Sequence, residues 1–289
     1  MASSRSLQGQ VAIVTGGARG QGRTHAVALA EHGASVVVCD GPAGISSVPY
    51  ALGSDAELAE TVAAVESAGA AGLAIRADVR RRADVERVVT QALDRFGRVD
   101  ILVANAGIVS QGKLWELSDT AWQELIDTNL TGVFHSMRAV VPHMRERQYG
   151  RIVVISSIGG RVGLPNISHY AAAKWGVIGM AKSLALELAT ENITVNVVCP
   201  TTVRTPMVLN ETTYRLFAPD AGEITEELIG RSFAAHHPIP RPWIEPEDVS
   251  REVVHLVTER GNITGAVVEI GLGISAQMHR AAAGHRCGW

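Results

Sequence analysis

Cysteine is scarce in this chain: Cys39, Cys199 and Cys287 are the three in 289 residues, and none forms a CxxC pair. An odd, scattered set supports neither a disulfide framework nor a zinc ribbon, and it fits a reducing compartment. Long apolar runs are lacking too, since charges interrupt every one well short of the ~18 residues that cross a bilayer. The first ten residues carry no apolar signal-peptide core. A cytoplasmic protein without a membrane span is expected. Nor is there an excess of one charge: 26 basic against 29 acidic residues leave −3, so no nucleic-acid-binding stripe or polybasic membrane anchor is implied. Aromatic residues are few, at 4%. What remains is a chain 46% hydrophobic and 19% charged, which excludes intrinsic disorder. Its 29 glycines exceed the usual share of about 7% and call for tight turns or close backbone approaches.

Short β-branched runs alternate with longer helical patterns. Val11–Thr15, Ser35–Cys39, Gly72–Arg76, Asp100–Ala104, Arg151–Ser156, Thr194–Cys199 and Ala266–Ile270 read as strands. Helices are predicted from the glycine turn to about His32, with Gly33 just past the end, and near 55–68, 81–96, 118–147, 169–190 and 246–259. Such alternation predicts an α/β fold: one Rossmann-type doubly wound domain over residues 1–289, with a seven-stranded parallel sheet and helices on both faces. Three segments fall outside the rhythm. Residues 41–54 form a turn-rich insertion, about 201–245 form a proline-punctuated segment of the kind that covers substrates, and 278–289 form a tail with no assigned role.

Thr15-Gly16-Gly17-Ala18-Arg19-Gly20-Gln21-Gly22 follows the first strand and opens the first helix. Glycines there permit a sharp turn, and the helix N-terminus offers free N–H groups and a positive dipole to a pyrophosphate. Asp40 ends the second strand, 24 residues after Gly16. A carboxylate there accepts hydrogen bonds from the adenosine ribose hydroxyls and repels a 2′-phosphate, favouring NAD. Arg19 is a milder signal in the other direction, since a basic residue in this loop can hold that phosphate. Further along, Tyr170 and Lys174 share one helix face. Ser157 lies 13 residues before Tyr170 at the carboxyl end of a strand, where open α/β sheets bind ligands.

With Asp78-Val79, Asn105-Ala106-Gly107 and Asn129 added in this order, the chain resembles the short-chain dehydrogenase/reductase family over nearly its whole length. The resemblance implies an NAD-dependent oxidoreductase acting on CH–OH, with Asn129, Ser157, Tyr170 and Lys174 as its catalytic set. It implies that Ser157 holds the substrate oxygen, Tyr170 exchanges its proton, Lys174 binds the nicotinamide ribose and Asn129 positions a proton-relay water. The cofactor positions it implies are Gly16, Arg19, Gly20, Gln21, Gly22, Asp40, Asp78, Val79, Asn105, Ala106, Gly107, Tyr170, Lys174, Val203 and Thr205. Alcohol oxidation needs a base near neutral pH. An ordinary tyrosine, with pKa about 10, is too weakly acidic to supply the phenolate, so a neighbouring Lys174 ammonium and a cationic nicotinamide are expected to favour it. One departure is Thr201, which stands after Pro200 where the family usually has glycine.

The insertion with Ser-Val-Pro-Tyr at 47–50, the run Cys199–Met207 and the run Pro240–Asp248 are similar to those of the mycofactocin-coupled, carveol dehydrogenase-like subgroup. That resemblance implies a small secondary alcohol or ketone substrate, a terpenoid such as carveol. It also implies a tightly held NAD whose electrons pass to mycofactocin, and a homotetramer. An insertion beside Asp40 could cover the adenosine end or be a plain surface loop. Two other readings stay open: an exchanging reductase, for instance of 3-oxoacyl groups, and a non-catalytic NAD-binding regulator. His236 and His237 lack a metal-ligand spacing, and no metal site is expected. Met207, Phe217 and Trp243 either line a substrate pocket or pack the covering segment. Trp115, Trp122 and Trp175 are read as core or subunit-interface residues.

Overall fold

The computed structural model describes residues 6–41, 44–217 and 225–276. β1 (Val11–Thr15), β2 (Ser35–Asp40), β3 (Gly72–Arg76), β4 (Ile101–Ala104), β5 (Gly150–Ile155), β6 (Ile193–Pro200) and β7 (Val267–Ile270) form one sheet. Its order is β3-β2-β1-β4-β5-β6-β7, and every pairing is parallel. The seven expected strands are all present, with ends shifted by at most a residue or so. Because both faces are covered, alternate residues feed two cores. On β1, Val11 and Ile13 join one cluster with Met137 and Val177, while Ala12 and Val14 join the other with Leu29 and Val253.

The helices are α1 (Gly20–Glu31), α2 (Asp55–Ser67), α3 (Arg82–Phe96), α4 (Asp119–Ile126), α5 (Gly132–Glu146), α6 (Ser168–Glu187), α7 (Glu211–Phe217), α8 (Glu226–His236) and α9 (Pro246–Thr258). Gly33, at φ 97°, follows the last turn of α1 as its sequence position predicts. The expected uninterrupted helix over 118–147 is instead α4 and α5 joined by a π-helical turn, Asp127–Thr131. That run of Asp, Thr, Asn, Leu and Thr is poor in strong helix formers, so the ladder there loosens at modest cost. The segment at 201–245 is not all loop, because it contains α7 and α8.

The core assignment for the tryptophans does not hold. Trp115 is 80% exposed, Trp122 40% and Trp175 50%, so their rings point out of the fold. No helix among the described residues is long and apolar enough to cross a membrane. The Phe217 side chain, Cys287 and the tail 278–289 lie outside the described residues.

Candidate active site

The strand order reverses between β1 and β4, and a cavity opens at their carboxyl ends, where doubly wound sheets bind ligands. Thr15 organises it. Its hydroxyl accepts the amides of Asn105 (3.1 Å) and Ala106 (3.0 Å), and the Asn105 carboxamide donates to the Thr15 and Gly16 carbonyls. The loops after β1 and β4 are thereby tied together. Gly16 has φ +67°, and a Cβ there would sit 2.8 Å from Ala106 Cα; a Cβ on Gly22 would sit 2.0 Å from the Gly16 carbonyl oxygen. Side chains at either position would fill the cradle.

α1 begins in this cradle with no side-chain cap and no acidic residue in its first turn. α2, by contrast, is closed by a full capping box between Ser54 and Glu57. The open N–H groups and dipole of α1 fit an anionic ligand. Gln21 adds a buried Oε1 with no partner among the described residues, on a residue that lines the cavity. Asp40 accepts the Ala18 amide on one carboxylate oxygen and its neighbour Gly41's amide on the other, at 2.9 and 2.8 Å. Burial pushes its carboxyl above the usual range, opposed by those two amides. Arg19 is turned toward Glu57, 3.8 Å away, so the basic side chain of the glycine loop already has a counter-charge. These features suit the diphosphate and ribose groups of a dinucleotide.

Of the residues expected at the site, Gly16, Arg19, Gly20, Gln21, Gly22, Asp40, Asp78, Val79, Asn105, Ala106, Gly107, Tyr170, Lys174 and Thr205 all line this cavity. Val203 does not: its side chain packs in the core beneath the sheet, 3% exposed. Ser157 lines a second, apolar cavity instead, together with Val109, Leu164, Ile167, Val208 and Phe233. The two cavities meet at Tyr170 and Met207, which line both. Met207 therefore walls the pocket, whereas Trp243 lies against Gly230 of α8 and under the Arg204 guanidinium, packing the covering segment.

Lys174 is buried, and its Nζ donates to the Ile155 carbonyl at 2.8 Å while lying 5.6 Å from the Tyr170 ring centre. Burial pushes its pKa down to about 8. The same burial pushes Tyr170 up, and a hydrogen bond with Ser157 only partly offsets it. Desolvation thus outweighs the Ser157 hydrogen bond, and a phenolate at Tyr170 calls for further positive charge beside the ring. Asn129 sits in the π-turn, fully buried, and its carboxamide clamps the Ile108 backbone, accepting from N–H and donating to C=O at 2.8 Å each. Both ends of that amide are engaged by the chain. His237 donates from Nδ1 to the Arg241 carbonyl (2.6 Å) and accepts from the Thr201 hydroxyl (3.0 Å), a tautomer set by those partners. Thr201, where the family usually has glycine, thus ties β6 to the end of α8.

Other wall residues were not singled out by sequence. Ile45, Tyr50, Leu52 and Gly53 of the insertion line the first cavity, and nothing local in their sequence announces which way they face. Arg23 also emerges: it donates to the Ala18 and Glu57 carbonyls and to Thr61, fixing the glycine loop to α2.

This sheet, with its cradle and the adjoining Tyr170/Lys174 pair, defines an α/β oxidoreductase site of the dinucleotide-binding class. The chain belongs to the short-chain dehydrogenase family, whose model, described as short chain dehydrogenase, matches residues 10–215. Among its relatives is (−)-trans-carveol dehydrogenase of Rhodococcus erythropolis, 44% identical over 270 residues, covering 92% of this chain and 98% of that one. An uncharacterised NAD-dependent oxidoreductase of Mycobacterium tuberculosis is 40% identical over 271 residues, covering 93% and 96%. In three dimensions the chain is similar to the crystal structure of carveol dehydrogenase from Mycobacterium avium in complex with NAD. That match has a TM-score of 0.92 at 38% identity and covers 94% of this chain and 99% of the other.

Proposed function

We propose that this enzyme is an NAD-dependent dehydrogenase of small, mainly apolar secondary alcohols, terpenoids such as carveol, working with a retained cofactor that mycofactocin reoxidises. The observation that carries the reading is the meeting of the two cavities at Tyr170: a polar, anion-ready cradle on one side and an apolar pocket on the other. Cofactor preference for NAD is supported by Asp40 and by the pairing of Arg19 with Glu57. When bound, the dinucleotide supplies the hydride acceptor and one positive charge.

The chain's own groups do the rest. Ser157 and Tyr170 together grip the substrate oxygen, and Tyr170 takes its proton as the C–H bond is broken. Lys174, held against the Ile155 carbonyl, adds the nearby positive charge that favours the phenolate. Asn129 keeps the 107–109 strand-end loop in place through Ile108. Retention of the cofactor is supported by the insertion, whose residues wall the cradle, and substrate cover by the segment from about 201 to 245. Assembly as a homotetramer through the faces of α4–α5 and α6 is supported by Trp122, Phe134 and Trp175, all at least 40% exposed there.

Replacement of Tyr170 by Phe tests the mechanism. The variant should still hold NAD through purification but reduce it with carveol at least ~100-fold more slowly in a single turnover. An unchanged rate would sink the assignment. Wild-type protein that purifies without NAD and reduces added NAD over many turnovers would refute retention.

A further inference from the structure

We propose that Glu124 and Tyr50 are positioning residues that fasten the 44–53 strap across the cofactor cavity and so set how long a dinucleotide stays bound. This rests on the reading that the cavity holds NAD, and it assigns a residue-level cause to its retention. The strap returns from β2 to α2 along the mouth of the cradle. Its apolar residues Ile45, Val48 and Leu52 pack against Ile108, Leu125 and Tyr170. Three partly buried side chains make a modest contact, so what else holds the strap decides how readily it lifts.

Two polar fasteners do so, and both grip the catalytic frame rather than the sheet. From α4, Glu124 accepts the Ser46 hydroxyl on one carboxylate oxygen (2.8 Å) and the Ser47 amide on the other (2.9 Å), with the Ser46 amide at 3.4 Å. Charge-assisted bonds of this kind are stronger than neutral ones. From the strap itself, the Tyr50 phenol oxygen accepts the Val109 amide at 2.9 Å. Burial pushes the Tyr50 pKa up, so the phenol stays neutral. At the far end Gly53 lies flat on the ribose-side carboxylate, where a Cβ would come within 2.9 Å of Asp40 Oδ2 and 2.8 Å of Ala18 Cβ.

The anchor points are themselves held. Val109 follows Ile108, which Asn129 clamps. The Glu124 carbonyl accepts the Thr128 hydroxyl at the start of the same π-turn. Lifting the strap therefore costs the Glu124 and Tyr50 bonds together with the apolar contact, while a ligand beneath it keeps all three in place.

The test is a chase. Wild type and the E124A, S46A and Y50F variants are loaded with tritiated NAD and mixed with excess unlabelled NAD, and protein-bound label is followed with time. Melting temperatures are measured alongside. E124A and Y50F are each expected to release NAD roughly tenfold faster, about 1.4 kcal/mol, and S46A severalfold faster, with little change in melting temperature. S46A alters only an exposed strap residue, so it reads the fastener even if E124A folds poorly. Release no faster than wild type in all three variants overturns the proposal while leaving retention intact. If wild type itself exchanges within seconds, retention fails as a reading. The ratio of rates, followed by stopped flow with bound NADH fluorescence, then decides the fasteners separately.

Discussion

Burial drives Lys174 and Tyr170 toward their neutral forms, Lys174 down to about 8 and Tyr170 upward. In the proposed mechanism alcohol oxidation needs Tyr170 able to accept a proton, whereas ketone reduction needs it protonated. The pH dependence therefore differs in the two directions. Single-turnover oxidation should climb with pH through the neutral range and bend over above about 8, where Lys174 loses the charge that supports the phenolate. Reduction should not climb over the same range. Stopped-flow records of nicotinamide absorbance between about pH 6 and 9 check this, and an oxidation rate flat across the range would contradict it. A second expectation concerns Gln21, whose buried Oε1 awaits a donor. Gln21→Leu should weaken NAD binding about five- to tenfold, as lost hydrogen bonds do, by isothermal titration with protein stripped of cofactor. The residues that line the first cavity were the most legible part of the sequence. Gly16, Gly22, Asp40, Tyr170 and Lys174 are needed for their shape or charge, and such demands leave few residue types possible. Val203 marks the limit of that legibility: Thr205 and Met207 line the cavity, while the Val203 side chain turns to the core.

At the scale of elements, the strands were legible because central parallel strands are buried on both faces and read as continuous β-branched runs. The π-turn was not. Its helical periodicity continues on either side, and the extra residue it accommodates shows only in three dimensions. Gly132, just after it, explains the fit. A Cβ there would lie 2.6 Å from Val79 Cγ2, and Val79 walls the cofactor cavity. Gly132→Ala should cost about 1–3 kcal/mol of stability, the usual range for overpacking, and should also weaken NAD binding by displacing Val79. Urea unfolding and NAD titration of the same variant test both, and a stable variant with unchanged NAD affinity would refute the steric coupling. The insertion was legible as an insertion only. Which of its residues face inward depends on Glu124, 77 or 78 positions away in sequence, and no local pattern carries that pairing.

On the scale of the whole molecule, two cores back a single sheet, and the polar groups sealed between layers contribute to how the fold answers acid. His25 is wholly buried between α1 and α9. Its Nδ1 bonds the Ser250 hydroxyl at 2.7 Å, which itself donates to the Pro246 carbonyl, so Nδ1 is the donor and Nε2 a lone pair with no partner among the described residues. Burial lowers its pKa from 6.5 to about 3. The native protein thus binds fewer protons than the unfolded chain between those values. The stability this confers is complete above pH 6.5 and is lost as pH falls toward 3. Each pH unit costs about 1.4 kcal/mol in that window, so His25 alone removes about 2 kcal/mol by pH 5. His143, His169 and His237, all lowered chiefly by burial, act in the same sense, while Asp40, raised by burial, opposes them. A difference measurement isolates His25. Near pH 7.5 the His25→Gln variant should be the less stable, having lost a bonded imidazole shaped to its site. Toward pH 5 its deficit should shrink by about the 2 kcal/mol that His25 forfeits. Denaturant midpoints of both proteins at several pH values give the comparison. Parallel curves would mean that His25 gains its proton without opening the α1–α9 contact, and the acid response would then have to arise elsewhere in the fold.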